Sequence, residues 1–138
     1  MKYGHFLVAF GSLALAAAPL RAQEQLPADS MEIGRKYTTW FYMAMTDSLI
    51  AHMVDKTGIS SDQIMQSLDQ LTEHAGHEVS VVEEKFITRN GKRQYWRTAQ
   101  FDQLEEPLLL RWVITPQGEI DGLGLGPLSQ APPIDPPK

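Results

Sequence analysis

Residues 79–101 read Val79-Ser80-Val81-Val82-Glu83-Glu84-Lys85-Phe86-Ile87-Thr88-Arg89-Asn90-Gly91-Lys92-Arg93-Gln94-Tyr95-Trp96-Arg97-Thr98-Ala99-Gln100-Phe101, two β-rich runs around an Asn-Gly pair. Both central residues of a type I′ turn need positive φ, which Asn and Gly tolerate best, so this stretch predicts an antiparallel hairpin with Val79–Thr88 and Lys92–Phe101 as its arms. A two-residue turn then fixes the register. On one face Phe86 opposes Tyr95, Glu84 opposes Arg97, Val82 opposes Ala99 and Ser80 opposes Phe101. On the other, Ile87 opposes Gln94, Lys85 opposes Trp96, Glu83 opposes Thr98 and Val81 opposes Gln100. The first face is the more apolar and is the one expected to meet the rest of the core. It carries one carboxylate and one guanidinium inward with it.

Working outward toward the C-terminus, Glu105-Glu106-Pro107 turns a corner into a third strand, Leu108 to Ile114. Pro116, Gln117 and Gly118 fit a type I turn with a bulge glycine, which returns a fourth strand, Glu119 to Leu125, antiparallel to the third. Gly122 and Gly124 weaken that strand and suggest bending or close packing. Five prolines from Pro127 onward read as an extended, poorly ordered tail over 127–138.

Working toward the N-terminus, the two-residue period gives way to a helical one. Ile33, Tyr37, Trp40, Phe41, Ala44 and Met45 follow Ser30 at the spacing of one helix face. Thr46, Asp47 and Ser48 offer cap oxygens for a short second helix with Leu49, Ile50 and Met53, ended by Gly58. Ser60 followed by Gln63 matches a capping box that opens a third helix with Ile64, Leu68 and Leu71, stopped by Gly76. Helices first and a meander second imply an α+β fold, three N-terminal helices packed on a curved antiparallel four-stranded sheet.

Ahead of the domain, Lys2 gives a weakly positive start, Phe6 to Ala18 an apolar run too short to span a bilayer comfortably, and Pro19-Leu20-Arg21-Ala22 a small-residue exit. Residues 1–22 are thus read as a cleaved export signal, 23–30 as a polar leader and 31–126 as the domain. Location is expected to be periplasmic or secreted, with no stable membrane anchor after cleavage. Of 12 basic residues, Lys2 and Arg21 leave with the signal, so ten remain against 17 acidic ones and the net charge is near minus seven. That balance argues against nucleic acid or an anionic membrane as partner. With no cysteine in the chain there is no disulfide framework, no thiolate nucleophile and no sulfur-ligated metal.

The aromatic first helix with Trp40-Phe41-Tyr42, the Asp47-Ser48-Leu49 restart, the Val82-x-Glu84-x-Phe86 strand and Tyr95-x-Arg97-x-Ala99-x-Phe101 resemble the cone-shaped superfamily of nuclear transport factor 2. Within it they resemble the small exported bacterial branch catalogued as domain of unknown function 3887. The resemblance runs from about Met31 to Leu125 and implies a ligand cavity on the concave side of the sheet. Members of that branch often precede a hydrolase or peptidase domain through a Pro/Ala-rich linker. Ala131-Pro132-Pro133 resembles such a linker, although no enzyme domain follows before Lys138.

Face alternation together with that resemblance makes Glu84, Arg97, Tyr95, Phe86 and Trp40 the candidate ligand-binding set. A buried charge pair is costly unless fully hydrogen-bonded, so Glu84 with Arg97 is either a staple that fixes register or a contact for an anionic ligand. Trp40, on the stripe of Tyr37 and Phe41, also suits plain core packing, and Trp96 opposite Lys85 suits a solvent-side cation–aromatic pair. His74 and His77 with Glu73 and Glu78 read as a surface charge cluster, and His52 with Asp47 or Asp55 as ordinary helix polarity. No phosphate loop, nucleophile elbow or zinc-protease helix is present, since Gly122-x-Gly124-x-Gly126 follows a strand into a proline tail. No cofactor, metal or catalytic residue is assigned. The expectation is a non-catalytic domain that binds a small molecule or an envelope protein and has its sheet as the surface for a homodimer. It could also serve as an accessory to a cell-envelope hydrolase or peptidase. The alternative is a small cavity enzyme of isomerase or hydratase type using Glu84, Arg97 and a tyrosine.

Overall fold

A computed structural model of the protein describes residues 26–137; the expected signal and the first part of the leader lie outside the described residues. The hairpin that decides the fold forms as β1 (Glu78–Arg89) and β2 (Lys92–Phe101), with Asn90 and Gly91 at φ 54° and 76°. β3 (Leu108–Ile114) and β4 (Ile120–Pro127) complete an antiparallel meander in the order β1-β2-β3-β4. Gly118, at φ 83°, closes the β3–β4 turn by donating its N–H to Thr115 O at 2.8 Å. The fold is α+β, as the change of period after Gly76 requires.

Three helices cover one face of the sheet. α1 (Met31–Tyr42) is capped by Ser30, whose Oγ accepts from Glu32 N at 3.1 Å, and α3 (Ser61–Ala75) opens on the reciprocal Ser60/Gln63 capping box. The short α2 (Thr46–Ala51) differs from expectation at its start. Its N-cap is Met45, with no side-chain cap bond, because Ala44 takes positive φ (57°) and the first helix ends at Tyr42, three residues before the end of the expected pattern. Ile33, Tyr37 and Phe41 of α1, Leu49 of α2, and Ile64, Leu71 and Ala75 of α3 close on Tyr95, Ala99, Phe101, Leu110, Trp112, Ile114 and Ile120. Trp112 is fully buried at the centre, and its indole N–H donates to Thr38 Oγ1 at 3.0 Å. Thr38 Oγ1 in turn donates to Gly34 O, so the buried polar group is satisfied at little cost. Among the described residues no helix is long and apolar enough to cross a membrane.

Near the turn the hairpin register is the expected one, from Ile87 with Gln94 to Glu83 with Thr98. Beyond that it slips twice. Bulges between Val81 and Glu83 and between Glu78 and Ser80 place Val81, not Val82, against Ala99, Ser80 against Gln100, and Glu78 against Phe101. A single bulge would have turned Glu78 to the outer face. Two restore its face and draw it toward Arg97.

The outer face of the sheet also departs from expectation. Trp96 lies across from Lys85, whose Nζ stands 5.8 Å from the indole, yet Trp96 is only 5 % exposed and packs in a small second cluster with Ile87 and Leu109. The proline-rich segment runs from Pro127 over this face. Ala131 and Pro132 sit near Leu109, and Ile134, Pro136 and Pro137 near Ile87. It is extended after Gln130 and meets the hairpin end through four hydrogen bonds: Asp135 N to Thr88 O, Arg89 Nε to Pro133 O, and the Asn90 and Gly91 N–H groups to the Asp135 carboxylate.

Candidate functional site

Glu84 and Arg97 both point to the helix-covered face, their side chains 17 % and 14 % exposed, with Tyr95 completely buried between them. They are not each other's main partners. Arg97 grips Glu78 with Nε–Oε1 at 2.9 Å and Nη2–Oε2 at 2.6 Å, a bidentate pair made possible by the two bulges. Its Nη1 stands 3.7 Å from Glu84 Oε2. Glu84 is taken from the other side by Arg35 of α1, with Nε–Oε2 at 2.8 Å and Nη2–Oε1 at 2.9 Å. The Tyr95 hydroxyl joins the halves, donating to Glu84 Oε2 at 2.5 Å and accepting from Arg97 Nη1 at 3.2 Å. Tyr42 closes the far end by donating to Glu78 Oε1 at 3.1 Å.

Two guanidiniums and two carboxylates thus neutralise one another, and no buried side-chain nitrogen or oxygen among the described residues lacks a hydrogen-bond partner. The Arg35 guanidinium holds the Glu84 carboxyl below the usual carboxylate range, against the opposing effect of partial burial. Burial, reinforced by the hydrogen bond to Glu84, pushes the Tyr95 hydroxyl well above its ordinary value, and burial with Glu78 does the same to Tyr42. Arg97 is held protonated by Glu78. A firmly ionised carboxylate with donors on both oxygens is a weak base, and a tyrosine so raised does not ionise near neutrality. The cluster can staple α1 to the hairpin; its hydrogen-bonding capacity is largely consumed in doing so.

Phe86 stays beside this cluster, its ring 6.0 Å from that of Tyr95, with the Arg93 guanidinium 5.1 Å above it. Trp40 is held elsewhere on α1, stacked edge-on to His52 at 5.0 Å and under Lys36 Nζ at 5.1 Å. The structure therefore gathers Glu84, Arg97, Tyr95 and Phe86 and leaves Trp40 apart. His74 bonds its own helix through Gln70 O, and Glu78 faces Arg97, so these residues do not converge; among the described residues no group of three or more metal-ligating side chains forms.

Space for a ligand opens at the other end of the core. A recess of about 300 Å³ lies between the α2–α3 connection, α3 and the start of β4. Leu49, Met53, Ile59, Ile64, Trp112 and Ile120 form its walls, with Leu123 and Ser67 at the margin. Two hydrogen bonds, which together make the parallel Met53–Ile120 bridge, hold the connection against β4: Val54 N to Ile120 O at 2.9 Å and Ile120 N to His52 O at 2.8 Å. Its two carboxylates are already engaged. Asp55 accepts from Thr57, and Asp121 pairs with Lys92 at 2.8 Å. A second recess of about 260 Å³ is lined by Tyr42, Leu68, Leu71, Glu78 and Phe101. Glu84, Tyr95, Arg97, Phe86 and Trp40 line neither.

Sequence reasoning missed Arg35, Glu78 and Tyr42 as members of the cluster, and the recess as a whole. The signal for the recess is present in the connection itself: Asp55-Lys56-Thr57-Gly58 supplies no large apolar side chain to fill the space beneath it. No family model, curated protein or solved structure matches the chain.

Proposed function

We propose that the protein is an exported, non-catalytic domain of the nuclear transport factor 2-like cone type, periplasmic or secreted, that binds a small apolar molecule between its helices and the β3–β4 end of its sheet. The observation that carries this reading is the recess lined by Leu49, Met53, Ile59, Ile64, Trp112 and Ile120. Its volume falls at the small end of the range for ligand pockets, about 300–1,000 Å³, and its walls are predominantly apolar. Three helices on one face of an antiparallel meander support the cone reading. Service to a cell-envelope hydrolase or peptidase is compatible with such a module and would make the ligand a regulator or a fragment of the enzyme's substrate.

The cavity-enzyme alternative has less support. Its base would be Glu84, which Arg35 keeps ionised and hydrogen-bonded, and its anion contact would be Arg97, three of whose N–H groups already go to Glu78 and Tyr95. Titration with the neutral fluorophore 1-aminoanthracene tests the proposal. Native protein is expected to bind it saturably, and Ser67→Trp, which places an indole at the recess margin from an exposed helix position, is expected to weaken binding about tenfold with the fold intact. Undiminished binding in Ser67→Trp together with loss in Arg97→Met would move the ligand to the charged cluster.

A further inference from the structure

The outer face of the sheet carries one guanidinium that has no counter-charge in contact with it among the described residues. On that face, Trp96, Arg111 and Gly124 stand in one cross-strand row of β2, β3 and β4. Arg35, Arg89 and Arg97 each donate a hydrogen bond, and Arg93 lies over Phe86. Arg111 makes no hydrogen bond, ion pair or ring contact among the described residues. It is nevertheless partly buried, and its guanidinium is easier to deprotonate than usual because burial disfavours its charge and Arg89 repels it.

Its position is built into β4. A Cβ on Gly124 would lie 2.3 Å from Arg111 Nη2 and 2.7 Å from Cζ, so the guanidinium occupies the space that the missing side chain leaves. This gives Gly124, the central glycine of Gly122-x-Gly124-x-Gly126, a physical role. Above it opens a recess of about 150 Å³, walled by Leu109, Gly126, Pro127, Gln130 and the Ala131-Pro132 start of the proline-rich segment. A half-buried guanidinium with a planar fork of free N–H donors opening on such a recess matches a small oxyanion, since Arg binds carboxylate and phosphate through two parallel hydrogen bonds. We propose that Arg111, seated over Gly124, is a binding site for one carboxylate or phosphate group on the outer face of the sheet, independent of the apolar recess on the helix side.

The test is NMR observation of arginine Nε–H resonances in the full chain, titrated separately with inorganic phosphate and with acetate at ionic strength held constant by chloride. A saturable shift of the Arg111 resonance is expected with at least one anion, and the anion that saturates names the group. Arg111→Gln should weaken binding about tenfold or more, and Gly124→Ala, which puts a methyl where the guanidinium lies, should do likewise; Arg93→Gln should bind as the native protein does. Should Gly124→Ala fail to fold, Arg111→Gln decides alone. Equal binding by Arg111→Gln, or small unsaturable shifts spread evenly over all arginines, would overturn the proposal.

Discussion

At the scale of single residues, the protein depends on one small side chain where a helix meets the sheet. Gly34 is the fourth residue of α1, and a Cβ there would fall 2.2 Å from Cγ of the Tyr95 ring. Glycine normally weakens a helix by about 1 kcal/mol relative to alanine, so its place here is explained by contact, not by helix propensity. Alanine at this position would have to push away a ring that is completely buried and whose hydroxyl links Glu84 to Arg97. Gly34→Ala is therefore expected to destabilise the fold by about 2–3 kcal/mol, despite the better helix former, as overpacking does. A chemical denaturation curve measures it, and a neutral or stabilising change would show that α1 does not rest on Tyr95. The helix that carries this glycine was legible in the spacing of Ile33, Tyr37 and Phe41. Which ring the glycine admits was not, because contact across 61 positions depends on how α1 is rotated over the sheet.

At the scale of elements, the hairpin shows where pattern reading succeeds and where it stops. Asn90-Gly91 fixed the turn and the adjacent pairs because positive φ at both positions leaves little choice. The two bulges were invisible because Val79 and Val82, the residues left over, belong to a run of valines in which any one could be skipped. Their consequence is the exchange of partners, Arg97 to Glu78 and Glu84 to Arg35, which places the charges in a four-member cluster between α1 and the hairpin. Removing one member of a buried pair strands the other. Arg97→Met should cost about 2–3 kcal/mol, less than the figure for full burial because the pair keeps 14 % and 15 % of its side-chain surface exposed. Adding Glu78→Gln should recover much of the loss, and adding Glu84→Gln should not, since Glu84 retains Arg35. Recovery with Glu84→Gln instead would restore the pairing that unbroken strand alternation implies.

At the scale of the whole molecule, the same cluster and the tyrosines set the range of pH over which the fold is stable. Glu84 has a carboxyl depressed in the folded state, so its contribution is present above the unfolded carboxyl value near 4.3 and disappears as pH falls through the folded one. Tyr37 is raised to about 12, first by burial and then by Glu119, and its contribution is present below the unfolded tyrosine value near 10 and disappears as pH rises toward 12. Stability measured against pH should accordingly fall below about 4 and above about 10, with Glu84→Gln flattening the acid limb alone. An acid limb unchanged in that variant would remove Glu84 from the balance. The α+β class, the order of elements and the capping box of α3 were legible because each is a local pattern. The recess was not, because it is bounded by α1, α2, α3, β3 and β4 together and exists only where the polar 55–58 connection fails to fill the space between them. Whether that space is a binding site is the central question, and methyl-resolved NMR during titration with 1-aminoanthracene addresses it most directly. Saturable shifts are expected at Leu49, Ile59, Ile64, Ile120 and Leu123, with Ile87 and Leu109 on the outer face unmoved; shifts confined to the outer face, or none at all, would contradict binding in the recess.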